Sequence, residues 1–252
     1  MSTGRPLNVV VTGGSGPAGI AAARALGRAG HTVFTVGSDG PRIEAAAAEA
    51  GSAVTPLVCD LADLAEVRSL RTTVQARLAA TGGSVDGVIH LVGGWRGAKG
   101  ITDQTDEDWE FLERGAITTL RNVTRVFYDD LAASDAGRFA MMSSTAAGKP
   151  TAGGASYAAA KAAAEAWTLA VADGFHRDQA GRKEDPTEQH SAAVVFVVKA
   201  LVDAGMRAKS PDRSFPGFTD VEDLAAAAVG LFTSPAAELN GRRLLLGPEP
   251  RH

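Results

Sequence analysis

Tyr157 and Lys161 stand four residues apart in the alanine-rich run "SYAAAKAAAEAW". Four residues make about one helical turn, so a helix places both side chains on one face. A tyrosine with its ordinary pKa of about 10 is a poor acid–base group at neutral pH. A nearby ammonium stabilises the phenolate and lowers that pKa, which gives a group able to exchange a proton with an alcohol or carbonyl oxygen. Ser144 ends the apolar run before this helix, where its hydroxyl can hold the same oxygen. Together these three residues predict proton transfer at a carbon–oxygen bond.

The trio works only if a strand end and a helix are held side by side. Short β-branched runs at 8–12, 32–36, 54–59, 86–92, 138–143, 192–198 and 243–246 alternate with helical patterns at 17–28, 41–50, 64–80, 106–133, 156–175 and 220–232. Such alternation predicts crossover units and an α/β fold on a parallel sheet of about seven strands. No repeat or linker divides the 252 residues, so one domain is expected over 1–252. "TDVE" at 219–222 reads as a capping box, with Thr219 and Glu222 covering helix-start amides. Two segments break the rhythm. Residues 176–190 carry mixed charge and read as a solvated excursion. Residues 203–218 leave the carboxyl end of a strand, where open α/β sheets bind ligands, and read as a substrate cover or a plain loop.

Composition narrows the partners. Apolar residues make up 45% and charged residues 21% of the chain, and the net charge is -4. Nothing in that balance favours nucleic acid or an anionic membrane surface. No apolar run approaches the roughly 18 residues that a membrane span needs, and the N-terminus is too short and polar for a signal peptide. With one cysteine, Cys59, no intrachain disulfide can form, and a reducing cytoplasm is the expected compartment. The five histidines show no metal-ligand spacing, so no metal site is expected.

"VVVTGGSGPAGIAAARAL" reads as a strand, a glycine-rich turn and a helix. The free amides and dipole of the helix start favour an anion such as a pyrophosphate. Gly13 permits the tight turn, Gly16 lets a phosphate approach the backbone, and Gly19 lets the helix pack on the sheet. The second strand of such folds usually ends in an acid that binds the ribose 2′-hydroxyl of NAD. Here it reads "VGSDG": Gly37 leaves that place empty, Ser38 follows, and Asp39 is placed to cap the next helix. The missing acid favours NADP over NAD, with Arg42 reaching back to a 2′-phosphate. An acid introduced at Gly37 is expected to swing the preference toward NAD.

"TGGSGPAG" (12–19), "CDL" (59–61), "HLVGG" (90–94), Ser144, and Tyr157 with Lys161 make the chain resemble a short-chain dehydrogenase/reductase. The interval from Ser144 to Tyr157, 157 − 144 = 13, matches that family's spacing. The likeness runs to "LNGRRLLL" (239–246), which resembles the family's last strand. It implies a Rossmann-like doubly wound sheet and an NAD(P)-dependent oxidoreductase acting on a small carbonyl or secondary alcohol. By resemblance, Ser144 orients the substrate oxygen, Tyr157 transfers the proton, and Lys161 tunes Tyr157 and grips the nicotinamide ribose. The turn residues Gly13, Ser15, Gly16, Pro17, Ala18 and Gly19, with Ser38, Asp60, Leu61, Val92 and Gly93, are implied to hold the cofactor. A homodimer or homotetramer built on the helices at 106–133 and 156–175 is also implied, with an alanine face carrying Trp167 toward the partner.

The sequence departs from the family's pattern around the nicotinamide. Pro17 stands where a glycine is usual. Ala116 occupies the place of a catalytic asparagine, and "KALVDA" (199–204) lacks the customary Pro-Gly and threonine. These departures leave a second reading open, a cofactor-binding sensor or scaffold with degenerate catalysis. His90 and Cys59 read as core residues. Trp95 and Arg96 read either as the rim of a substrate mouth or as plain loop.

Overall fold

The computed structural model describes residues 5–79, 83–181 and 187–247. The chain ends, the predicted helix end at Ala80 and the middle of the 176–190 segment lie outside the described residues. The main sheet has seven strands: β1 (Asn8–Thr12), β2 (Thr32–Gly37), β3 (Val54–Val58), β4 (Gly87–His90), β5 (Arg138–Ser144), β6 (Ala192–Val198) and β9 (Arg243–Leu245). Their order is β3-β2-β1-β4-β5-β6-β9, and every neighbouring pair is parallel. Parallel strands need crossovers, supplied by α1 (Pro17–Arg28), α2 (Gly40–Ala50), α3 (Leu64–Leu78), α5 (Thr119–Ala133), α6 (Ala155–Gln179) and α8 (Val221–Gly230). With helices on both faces, the central strands are buried on both sides. Accordingly Val10 joins the core under α3, α5 and α6, whereas Val9 and Val11 join the core under α1 and α8. This is the doubly wound Rossmann-like architecture. Strand order reverses between β1 and β4, which opens a crevice at their carboxyl ends.

Several elements differ from the sequence expectation. The helix expected over 106–133 is α4 (Asp106–Glu113), a π-helical turn (Arg114–Thr118) and α5. The strand expected over 86–92 is the shorter β4: Asp86, whose carboxylate takes Arg5, the Asn8 amide and the Ser134 hydroxyl, stands just before it, and the strand ends at His90. The helix expected over 156–175 runs on to Gln179, whose side chain ties down Ser191 and His190. The capping box at 219–222 does not form. Thr219 lies in a two-residue strand, β8 (Thr219–Asp220), its hydroxyl donates to the Leu246 carbonyl, and Asp220 caps α8 instead. β8 pairs in parallel with β7 (Leu201–Val202), so the 203–218 segment is fastened at both roots. Within that segment α7 (Ala204–Lys209) starts at an Asp203 cap. A short α9 (Ala236–Leu239) precedes β9. Asp39 caps α2 as expected, accepting from the Arg42 amide at 2.9 Å. Among the described residues no helix is long and apolar enough to cross a membrane.

Candidate active site

Two hollows open side by side at the carboxyl edge of the sheet. The first is a cleft of about 380 Å³ over the β1–β4 crevice. Its wall includes Gly13, Ser15 and Gly16 of the glycine turn, Gly37 and Ser38 after β2, Asp60 and Leu61 after β3, and Val92 and Gly93 after β4. Of the turn residues assigned from sequence, Pro17, Ala18 and Gly19 are not on this wall. Gly19 serves packing: a Cβ there would meet the backbone of Gly14 at 2.6 Å. Gly13 has φ +74, and a Cβ on it would sit 2.8 Å from the Leu91 carbonyl, so the turn closes only with glycine at both positions. Arg42, Cys59, Leu91 and Thr119 also line the cleft, and of these only Arg42 was anticipated in that role.

The cleft has the donor set of a dinucleotide site. Among the described residues, Ser15 Oγ and Thr35 Oγ1 are the buried side-chain polar atoms without a hydrogen-bond partner. An unsatisfied buried hydroxyl is costly, and Ser15 stands on the cleft wall beside the start of α1, where the first helical amides have no intrahelical acceptor. A pyrophosphate there satisfies both. A Cβ on Gly16 would touch only the Gly13 carbonyl, at 3.6 Å, so the approach to the backbone is open. At the far end Asp60 accepts from the Ala62 amide and pairs with Arg114 at 2.6 Å. Arg42 is exposed, and among the described residues its guanidinium has no ion-pair partner.

The second hollow is a cavity of about 700 Å³. Ser144, at the end of β5, and Tyr157, on α6, share its wall with Trp95, Lys149 and the chain from Val198 to Leu201. Trp95 thus rims the mouth, while Arg96 turns away to pair with Asp108 and to cover the Phe111 ring. The 203–218 segment does not line the cavity; only its root does. Lys199, where Pro-Gly was expected, is held by this segment, its ammonium donating to the Pro216 carbonyl at 3.1 Å.

Lys161 stands between the two hollows. Its ammonium donates to the Met142 carbonyl at 2.8 Å, and a Cβ on Gly93 would lie 3.1 Å from it. Burial lowers its pKa to about 8, opposed by the Glu165 carboxylate. Tyr157 corrects the sequence expectation. Burial raises its pKa, while the Ser144 hydroxyl pulls the other way, and Lys161 is not among the causes. Burial therefore keeps the proton on the phenol at neutral pH, where it is poised as a donor. The family's asparagine position, Ala116, is buried in the π-helical turn.

His90 is a core residue. Its ring sits 2.8 Å from Thr12 Oγ1 and 3.3 Å from Thr119 Oγ1, and burial, helped by the Lys161 charge, lowers its pKa to about 3. Cys59 is buried and its thiol is pushed up to about 12 by burial and nearby carboxylates, which makes it inert as a nucleophile.

Comparison with known proteins agrees with this geometry. Residues 7–179 match the family described as short chain dehydrogenase. Among solved structures, a short chain dehydrogenase/reductase family protein is 25% identical, with 95% of each chain covered and a TM-score of 0.74. The NADPH-bound short chain oxidoreductase of Pseudomonas aeruginosa PAO1, described as containing an atypical catalytic center, is 20% identical over 98% of this chain and 97% of that one, with a TM-score of 0.80. An NAD+-bound xylitol dehydrogenase is 17% identical over 96% and 97%, with a TM-score of 0.76. No curated protein sequence matches the chain.

Proposed function

Because the chain belongs to the short-chain dehydrogenase family, and is therefore an oxidoreductase, we propose that it moves a hydride between a nicotinamide cofactor and a small carbonyl or secondary alcohol. The observation that carries this reading is Ser144 and Tyr157 on one cavity wall, with Lys161 joining that cavity to the nucleotide cleft. The bound nicotinamide supplies the hydride chemistry. Ser15, Gly13 and Gly16 hold the pyrophosphate, Asp60 and Leu61 flank the adenine, and Val92, Gly93 and Lys161 hold the nicotinamide ribose. In the reducing direction Ser144 Oγ donates a hydrogen bond to the carbonyl oxygen, and Tyr157 delivers its proton to that oxygen as the carbon takes the hydride. Lys161, charged below about pH 8, supports the negative charge left on Tyr157.

The same reading extends to partners. Gly37 leaves no acid to repel a 2′-phosphate and Arg42 lies on the cleft wall, so the cofactor is NADP(H) in preference to NAD(H). The cavity wall carries Lys149 and Lys199 and no carboxylate, which favours a substrate bearing an acidic group. The 203–218 segment, rooted by the β7–β8 pair beside the Lys199–Leu201 wall, covers that substrate. A lone buried cysteine fits a reducing cytoplasm, and the exposed alanine face of α6 fits a homodimer or homotetramer. The experiment is turnover of a keto-acid and keto-ester panel, read by NADPH absorbance. Turnover lost by about 10²–10⁴-fold in Tyr157→Phe, with NADPH binding kept, is the expected result. A Tyr157→Phe protein at full rate on a turned-over substrate overturns the mechanism.

A further inference from the structure

Glu165 lies one helical turn beyond Lys161 on α6 and is buried. Its Oε1 accepts from Ser143 Oγ at 2.5 Å. Both oxygens also face Arg243 of β9, with Nε donating at 2.7 Å and the outer nitrogen at 3.2 Å. Ser143 immediately precedes Ser144, and Met142, the acceptor for Lys161, immediately precedes Ser143. Successive turns of α6 are therefore clipped to successive residues of β5, and those clips end where the serine of the candidate active site begins. A buried carboxylate is tolerable only when paired and hydrogen-bonded, and the structure satisfies this one from two strands.

We propose that Glu165 is a positioning residue for proton transfer: it locks the end of β5 that carries Ser144 to the helix turn next to Lys161, and it sets a buried negative charge one turn from the Lys161 ammonium. The proposal rests on the oxidoreductase reading for its purpose, but the coupling is a property of the protein without substrate. The charged and titratable groups around the pair are few. Arg243 faces Glu165 from β9, Tyr157 precedes Lys161 on α6, and His90 approaches from β4 but stays neutral above about pH 3. Lys161 is drawn in opposite directions by burial, which lowers its pKa, and by the Glu165 charge, which raises it. Arg243 shares the Glu165 charge and so moderates its hold on Lys161.

Two substitutions move the lysine in opposite directions. Glu165→Gln keeps the size and an acceptor for Ser143 but removes the charge. Arg243→Gln, at a half-exposed site on the edge strand, leaves the carboxylate unshared. The readout is the titration of Lys161 followed by NMR in protein carrying lysine labelled with ¹³C at Cε, the Lys161 signal being identified by its loss in Lys161→Met. The Lys161 midpoint is expected to fall by about one pH unit in Glu165→Gln and to rise in Arg243→Gln. The alkaline limb of the kcat/KM profile should follow each shift. An unmoved midpoint in Glu165→Gln overturns the proposal. If that variant does not fold, Arg243→Gln decides alone, and a midpoint that does not rise overturns it. Absence of turnover in the unaltered protein would count against the oxidoreductase reading and leave the titration result standing on its own.

Discussion

A Cβ on Gly37 would lie 2.6 Å from Ser15 Oγ and 3.3 Å from Ile43, so the end of β2 and the glycine turn share one space at the mouth of the nucleotide cleft. An acid at Gly37, expected to swing the preference toward NAD, would therefore also meet the Ser15 hydroxyl. Any side chain there displaces Ser15 first. Gly37→Asp and Gly37→Ala should both weaken NADH and NADPH alike, by about tenfold, as a lost hydrogen bond to a charged group implies. Arg42→Ala, by contrast, should weaken NADPH about fivefold with NADH unchanged, since the guanidinium is exposed and screened. Fluorescence titration of both cofactors decides this, and equal losses in Arg42→Ala would remove the NADP preference.

Lys161 gives activity and stability opposite responses to alkali. Its folded pKa of about 8 lies below the ordinary 10.5, so the unfolded chain holds more protons between those values and stability rises with pH there. Turnover falls over the same window, because the ammonium is lost as pH passes about 8. Denaturant midpoints and initial rates measured from pH 7 to 10 should therefore diverge, and Lys161→Met should abolish the stability gain.

His90 sets an acid limit. Held neutral to about pH 3 in the fold against an ordinary 6.5, it binds a proton only on unfolding once pH drops below 6.5. Stability should fall by ~1.4 kcal/mol for each pH unit below that point. His90→Asn should flatten this slope in urea unfolding between pH 6.5 and 4.5. A slope that persists would assign the acid sensitivity to other groups, among them His31, whose pKa burial also lowers.

The outer face of α6 exposes Ala159, Ala162, Ala163, Ala166, Leu169 and Ala170. Trp167 is not part of it. Its ring nitrogen donates to Thr124 Oγ1 on α5 at 2.9 Å, so it joins the two helices within one subunit. A symmetric pair of such faces buries the same patch twice. Ala163→Arg places a charge at its centre and should convert the assembly to monomer by light scattering. A protein that is already 25.8 kDa in solution and active would rule the assembly out.

The strands were legible because β-branched runs at regular spacing suit a sheet buried on both faces, and the glycine turn because the positive φ of Gly13 and the contact of Gly19 with Gly14 are local. What escaped the sequence was set by distant partners. Glu165 reads as one more polar helix residue until Ser143 and Arg243, 22 and 78 positions away, are brought to it. The π-helical turn at Arg114–Thr118 is one residue of extra winding and has no residue signature of its own. Asp220 took the cap from Thr219 because the threonine hydroxyl found the Leu246 carbonyl, 27 positions on. The direction of the Tyr157 pKa is likewise set by burial, which the fold makes and the Tyr-to-Lys spacing does not reveal.

The two hollows share no wall residue, and Lys161, bonded to Met142 of one wall and close to Gly93 of the other, lies between them. The nucleotide half can therefore fill while the other half is still water, whereas a substrate arriving first finds a chamber without its redox partner and with a lysine still fastened to Met142. For the proposed oxidoreductase the expected kinetic consequence is a compulsory sequence: coenzyme would enter first and depart last, and product inhibition by the oxidised coenzyme should be competitive against the reduced one and noncompetitive against the carbonyl compound.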